Sequence, residues 1–424
     1  MSVTQLQARI DELSAEIVRQ QEVLADLERR KSAYQRQLNA IRDPVARLPL
    51  EISSTIFVHC LPSDPLPDAR IPPLLLLNVC NRWTEIALAT TELWASINVD
   101  DWSDPASLLD TWPKRAGNRG LSISLRQRLP HEITALVGKY AHRLHALKLY
   151  HDDGDMDLVT AAGPFPVLKT LTIIGVYAEE FLCSATATLD MLRKCPNAAE
   201  CMLDEVSYSD DEYVIDMAET EMVVLPRMRH LNFGRHPDSH GCDASILPYL
   251  TLPCLQTLFI PWPNLEDLIS FLKRSSPPLQ QIIVGDGGPS TLYQTEELLS
   301  FLPMLTHFEL FKPRENTTDQ FLTVLTSSPH LLPNLTTIAF QYFDPPGPWY
   351  QQLLGFLHAR RKQIHTVRII WRDYRMVGPP ADVLGQLRQF LDDGMKIHIG
   401  TEDVTDEGSE GGSDGDSQAD SQES

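Results

Sequence analysis

The sequence predicts an α/β protein. A long N-terminal helix and a small helical module precede a stack of short strand–helix units that share a parallel sheet, and a disordered acidic tail follows. Three observations predict this. Residues 6–41 carry an unbroken heptad pattern, prolines recur every 24–30 residues ahead of the same apolar spacing, and the last 24 residues hold nine acids and no Lys or Arg. The predicted parts are 1–43, 44–99, 100–399 and 400–424.

The heptad runs through Leu6, Ile10, Leu13, Ile17, Gln20, Leu24, Leu27, Lys31, Tyr34, Leu38 and Ile41, and no Pro or Gly interrupts it before Pro44. Nine of these eleven positions are apolar. A 3.5-residue period sustained this long predicts a coiled-coil helix. Gln20 and Lys31 weaken the seam and can set its register. Such a seam pairs with a second copy or packs back on its own chain. The narrow stripe favours self-association through residues 1–41.

Pro44 ends that helix. Leu48-Pro49-Leu50-Glu51-Ile52 opens a second one, with Pro near the first turn, where its missing N–H costs nothing. Leu48, Ile52, Ile56 and Leu61 fall roughly on one face. A Pro-rich loop, Pro62–Pro73, leads to a helix expected over 74–88 that carries Leu76, Val79, Cys80, Trp83 and Ala87. Residues 93–99 read as a closing strand. Cys60 and Cys80 sit in apolar helical patterns, where a buried reduced thiol is the usual role. Two short helices bearing this much apolar surface exceed what so small a unit buries alone, which marks an interaction site.

The template Pro-x-Φ-x-x-Φ-x-Φ then recurs from Pro166, Pro196, Pro226, Pro253, Pro277, Pro303 and Pro333, at spacings of 30, 30, 27, 24, 26 and 30 residues. Copies without the proline carry Leu144, Leu147 and Leu149, and Ile364, Val367 and Ile369. Helical stretches such as 266–274, 296–301, 319–326 and 349–361 separate them. One strand and one helix per unit predicts a leucine-rich-repeat-like solenoid with a parallel sheet. Each Pro disfavours helix at the residue before it, so it punctuates the helix-to-strand turn.

Composition excludes several classes. A net charge of −21 argues against coating nucleic acid or an anionic membrane. No apolar run reaches the roughly 18–20 residues of a spanning helix, and the charged N-terminus lacks a signal-peptide core. Seven Cys without C-x-x-C do not read as a disulfide framework. A chain of the cytoplasm or nucleus is expected. The tail is too polar to bury surface and is expected to be disordered.

Catalytic signatures are absent: there is no G-x-S-x-G, Walker A, H-E-x-x-H or G-x-G-x-x-G. Gly285-Asp286-Gly287-Gly288 lacks the Lys-Ser/Thr of a phosphate loop. Asp153, Asp155 and Asp157 imitate a calcium loop, but Pro164 stands where the bidentate Glu belongs. His236, His240 and Cys242 have ligand-like spacing without an obvious fourth ligand. No metal, no cofactor and no catalytic residue are expected. What the sequence offers is surface. Residues flanking the buried positions of each strand point outward, and the candidates for contacting a protein substrate are Arg229, Asn232, Gln256, Phe259, Gln280, Thr306, Glu309 and Arg368.

Leu48-Pro49-x-Glu51-Ile52-x3-Ile56-Phe57, then Val79-Cys80-x2-Trp83-x2-Ile86-Ala87, then Leu93-Trp94, resembles an F-box. The layout of heptad helix, F-box and degenerate leucine-rich repeats is similar to the large F-box families of mushroom-forming fungi. The resemblance implies a substrate-recognition subunit of a cullin-based ubiquitin ligase, docked on a Skp-type adaptor. It further implies that Leu48, Pro49, Ile52, Ile56, Val79, Cys80 and Trp83 face the adaptor and that the repeats hold a protein substrate. The alternative is a non-catalytic scaffold that assembles partners through coil and repeats without ubiquitin transfer.

Overall fold

Each of the seven template prolines is followed, four residues later, by the first residue of a strand. The strands are Thr170–Gly175 (β4), Glu200–Asp204 (β5), His230–Asn232 (β7), Thr257–Ile260 (β9), Gln281–Val284 (β10), His307–Phe311 (β11) and Thr337–Tyr342 (β12). The apolar residues two, five and seven places after each proline are all at most 2% exposed. The template is therefore a burial rule: the first residue packs under the turn, and the next two point from the strand into the core.

The computed structural model describes residues 3–99, 105–125, 131–151, 162–175, 185–204, 221–234, 244–260, 264–285, 292–311, 313, 315–342, 349–371 and 379–401. The strands above join Ser96–Val99 (β1), Leu121–Leu125 (β2), Leu144–His151 (β3), Thr366–Trp371 (β13) and Lys396–Thr401 (β14). Together they form one twelve-stranded sheet. Every pairing is parallel, and the order follows the chain. Val223–Val224 (β6) and Leu250–Thr251 (β8) form a separate two-stranded sheet. The register keeps equivalent residues side by side. Ile97, Ile123, Leu147, Leu171, Cys201, Leu231, Leu258, Ile282, Phe308, Ile338, Val367 and Ile397 form one row across all twelve strands.

Helices pack on the apolar side of this row. They include Ala185–Arg193 (α7), Leu265–Ser275 (α8), Leu292–Ser300 (α9), Glu315–Ser327 (α10), Tyr350–Ala359 (α11) and Ala381–Asp392 (α12). Two polar devices tie one unit to the unit before it. Asn197 Nδ2 donates to Pro166 O (2.6 Å) and Asn334 Nδ2 to Pro303 O (2.9 Å). Arginines near the ends of helices reach back to main-chain carbonyls. Arg143 donates to Arg119 O, Arg274 to Leu247 O and Leu250 O, and Arg360 to Leu325 O, Ser328 O and Leu331 O. The guanidinium suits this role because it brings five donors and no acceptor to several carbonyls at once, and Leu325 O lies in the last turn of α10, where the helix dipole is negative.

The N-terminal helix runs Val3–Arg42 (α1), and none of its residues is buried. The helical module that follows departs from expectation in three places. The helix expected over 74–88 is two, Leu74–Val79 (α3) and Asn81–Ala89 (α4), because Cys80 between them is extended. The helix opening the module is Leu50–His59 (α2), with Leu48 and Pro49 ahead of it. Residues 91–94 form a 3-10 turn rather than a strand, and only β1 is extended. β1 is also the first strand of the large sheet, so the structural join lies at Trp94–Ser96. Among the described residues no helix is long and apolar enough to cross a membrane. The acidic tail lies outside them.

Of the two thiols expected to be buried, Cys80 is enclosed and Cys60 is exposed. Burial pushes the Cys195 thiol up to about 12 and raises that of Cys201 as well. In native protein at pH 8, iodoacetamide is therefore expected to label Cys60 and Cys254 and to leave Cys80, Cys195 and Cys201 unmodified. Peptide mass spectrometry reads each site, and labelling of Cys201 at the rate of Cys254 would contradict this packing. The unfolded thiols ionise near 9.0, so the folded state's preference for the neutral form is fully present below that pH and is lost as pH rises above it.

Candidate functional site: two surfaces

Two surfaces survive the packing. The first is on the helical module. Its core is filled by Phe57, Leu76, Ile86, Ala87, Leu93 and Trp94. Leu48, Ile52 and Ile56 do not take part: they are 37%, 50% and 41% exposed, as is neighbouring Pro49. Ile52 and Ile56, one turn apart, lie on the same side of α2.

The other residues expected to face an adaptor are buried or partly buried and make contacts within the chain. Cys80 is 1% exposed. Trp83 is half-buried, its ring 4.8 Å from that of Phe57, and its indole N–H donates to Asp43 Oδ1 at 2.8 Å. Val79 accepts a hydrogen bond at its carbonyl from Asn39 Nδ2 (2.9 Å). These three hold the end of α1 against the module, and the exposed part of the expected set is Leu48, Pro49, Ile52 and Ile56.

The Pro-rich loop 62–73 has a position that the sequence did not indicate. Asp64 pairs with Lys148 (3.0 Å), and Pro65 O accepts from the Asn98 N–H (2.9 Å). The loop thus covers the open side of the sheet at β1–β3, where Asn98 and Ser124 are buried.

Beyond that cover, the open side forms the second surface. Thr172, Met202, Asn232, Phe259, Ile283, Glu309, Ala339 and Arg368 make a continuous row there. A groove of about 510 Å³ runs along it from β4 to β12. Its apolar part is Met202, Phe259, Ile283 and Phe311, with the two phenyl rings edge to face at 5.9 Å. Its polar part includes His230, Asn232, Thr257, Glu309 and Gln341. Asn232 Oδ1 is buried in the wall with no hydrogen-bond partner among the described residues, a state that costs free energy until a donor arrives.

Asn232, Phe259 and Glu309 of the expected substrate set line this groove, and Arg368 extends the row beyond it. Arg229, Gln256, Gln280 and Thr306 do not. They stand one residue ahead of their strands, where each carbonyl receives two N–H groups from the next unit and so builds the rim of the sheet. His230, Thr257, Gln281 and His307 begin the strands and face the open side. Arg229 lines a different cavity at this rim, of about 870 Å³, with Lys169 and Arg227. None of these three cations makes an ion pair among the described residues.

Among the described residues no group of three or more His, Cys, Asp or Glu is placed to hold a metal ion. His236, His240 and Cys242, Asp153, Asp155 and Asp157, and Asp286, Gly287 and Gly288 all lie outside them. No family model and no curated protein sequence matches the chain.

Proposed function

We propose that this chain is a substrate-recognition adaptor of a cullin-based ubiquitin ligase. The module at 44–99 acts as an F-box docked on a Skp-type adaptor, and the strand–helix units act as a leucine-rich-repeat-like solenoid that holds a protein substrate. The carrying observation is the division of labour inside the module. Its core is complete without Leu48, Ile52 and Ile56, and those three large apolar side chains stay in solvent at the segment that carries the F-box pattern. Exposed apolar anchors of this kind are what a partner's groove takes up.

The function is positioning: the groove on the open side binds a target, and the module delivers it to transfer machinery supplied by other subunits. The groove suits a peptide segment with an apolar anchor for Phe259, Phe311 and Ile283, and a hydrogen-bond donor for Asn232 Oδ1.

The test is co-purification with a Skp-type adaptor. The parent chain is expected to bind it. Leu48→Asp combined with Ile52→Asp is expected to weaken binding by about 100-fold or more, on the scale of two lost hot spots. The melting temperature should stay within about 2 °C of the parent, because both side chains are already wet. No binding by the parent chain would defeat the proposal. Adaptor binding without ubiquitination of any bound partner would favour the scaffold reading instead.

A further inference from the structure

The seam of α1 is free along its whole length. Its nine apolar members, from Leu6 to Ile41, are 42–83% exposed. The contacts that fix the end of this helix to the module come from the other side. Arg36 donates to Asn78, Asn39 to Val79 O, and Asp43 accepts from Trp83. In the heptad, Arg36 and Asp43 occupy f positions and Asn39 a b position, opposite the a and d positions of the seam. Among the described residues nothing of the chain's own body covers the stripe. A helix of 40 residues, about 60 Å long, is left with an unpartnered apolar edge.

The spacing of polar residues in the seam identifies the occupant. In a parallel in-register pair, Lys31 would face Lys31 of the second copy across one layer, and the flanking positions would offer Glu16 to Gln21 and Arg30 to Gln35, with no ion pair. An antiparallel pair with its two-fold axis at Glu22 behaves differently. It sets Val3 against Ile41, Leu6 against Leu38, Ile10 against Tyr34, Leu13 against Lys31, Ile17 against Leu27 and Gln20 against Leu24, each twice. Every polar seam residue then faces an apolar one, and Lys31 can extend its ammonium past Leu13 into water. The flanking g positions place Glu16 beside Arg30 twice, and Val23, an apolar residue outside the seam, beside its own copy at the axis. Fully overlapped helices thus match in polarity and in charge, as a closed two-fold interface requires.

We propose that α1 is the dimerisation element of this protein, pairing with a second copy as a full-length antiparallel coiled coil. The two module-and-sheet bodies then sit at opposite ends of a rod about 60 Å long. This does not depend on what either body binds.

Sedimentation equilibrium of the full chain tests it. The expected mass is twice 47.8 kDa. Ile17→Asp inserts a carboxylate into two layers and is expected to weaken association by about 100-fold or more. Far-UV circular dichroism of the body should be retained. Glu16→Lys alone places like charges together twice and is expected to weaken the dimer by about tenfold at low salt, and adding Arg30→Glu should restore it. A monomeric parent chain, or a dimer indifferent to Ile17→Asp, would overturn the proposal. A dimer sensitive to Ile17→Asp but indifferent to the Glu16 and Arg30 exchange would overturn the antiparallel alignment.

Discussion

Replacing Trp94 with alanine is expected to destabilise the protein by about 3–5 kcal/mol, the range for deleting a fully enclosed aromatic side chain. Trp94 is 0% exposed and stands where the helical module meets the sheet. Its indole N–H donates to Ala87 O (2.9 Å), its ring meets Trp112 edge to face at 4.9 Å, and the Arg115 guanidinium lies 4.5 Å from its centroid. Alanine removes the filler, orphans the Ala87 carbonyl and leaves a cavity lined from both sides of the join. Trp94→Phe keeps most of the volume but still loses the N–H, so about 1–3 kcal/mol is expected. Urea titration followed by circular dichroism measures both. A Trp94→Ala loss under 1 kcal/mol would mean that the module and the sheet do not share this core.

The second large effect is expected at Arg360. Arg360 is 4% exposed and faces no carboxylate among the described residues; its guanidinium donates to Leu325 O (3.0 Å), Ser328 O (2.9 Å) and Leu331 O (2.8 Å), with Gln363 Oε1 at 3.2 Å. Burial lowers its pKa, and the carbonyls at and just beyond the end of α10 take the place of a counter-ion. Arg360→Leu fills the volume but strands three buried acceptors, which should cost about 3–5 kcal/mol. Arg360→Lys should recover only part of this, because one ammonium cannot reproduce the planar fork. Equal stability of the Leu variant and the parent would show that water reaches those carbonyls.

The features most legible in the sequence were those with a period. The heptad marked a helix that runs from Val3 to Arg42, and the proline template marked the turns that lead into seven of the strands. Of the twelve strands, β1, β2 and β14 carry no clear copy of the template. β2 meets β3 through a register shift at Leu121–Ser122, which removes the expected spacing. The module was less legible, because the break at Cys80 is a backbone conformation with no Gly or Pro to announce it.

The outward-facing row of the sheet was half legible, for a geometric reason. Alternation of side chains holds only within a strand, and each strand starts four residues after its proline. Arg229, Gln256, Gln280 and Thr306 stand one residue earlier, in the turn, so their neighbours His230, Thr257, Gln281 and His307 take the outward place. The cover that loop 62–73 lays over β1–β3 was not legible at all, since it depends on contacts such as Asp64 with Lys148, 84 residues apart.

A sheet ordered along the chain has a first and a last strand, and the two are treated differently. The outer edge of β1 gives its Asn98 N–H to Pro65 O of loop 62–73, whereas β14 ends the order with no further strand beside it among the described residues. An unmatched edge is a template on which another molecule can add a strand and begin a fibre. The chain as a whole carries a net charge of −21, so a second copy approaching that edge meets charge of its own sign. Like charge on every copy thus opposes growth at an edge that no helix caps among the described residues.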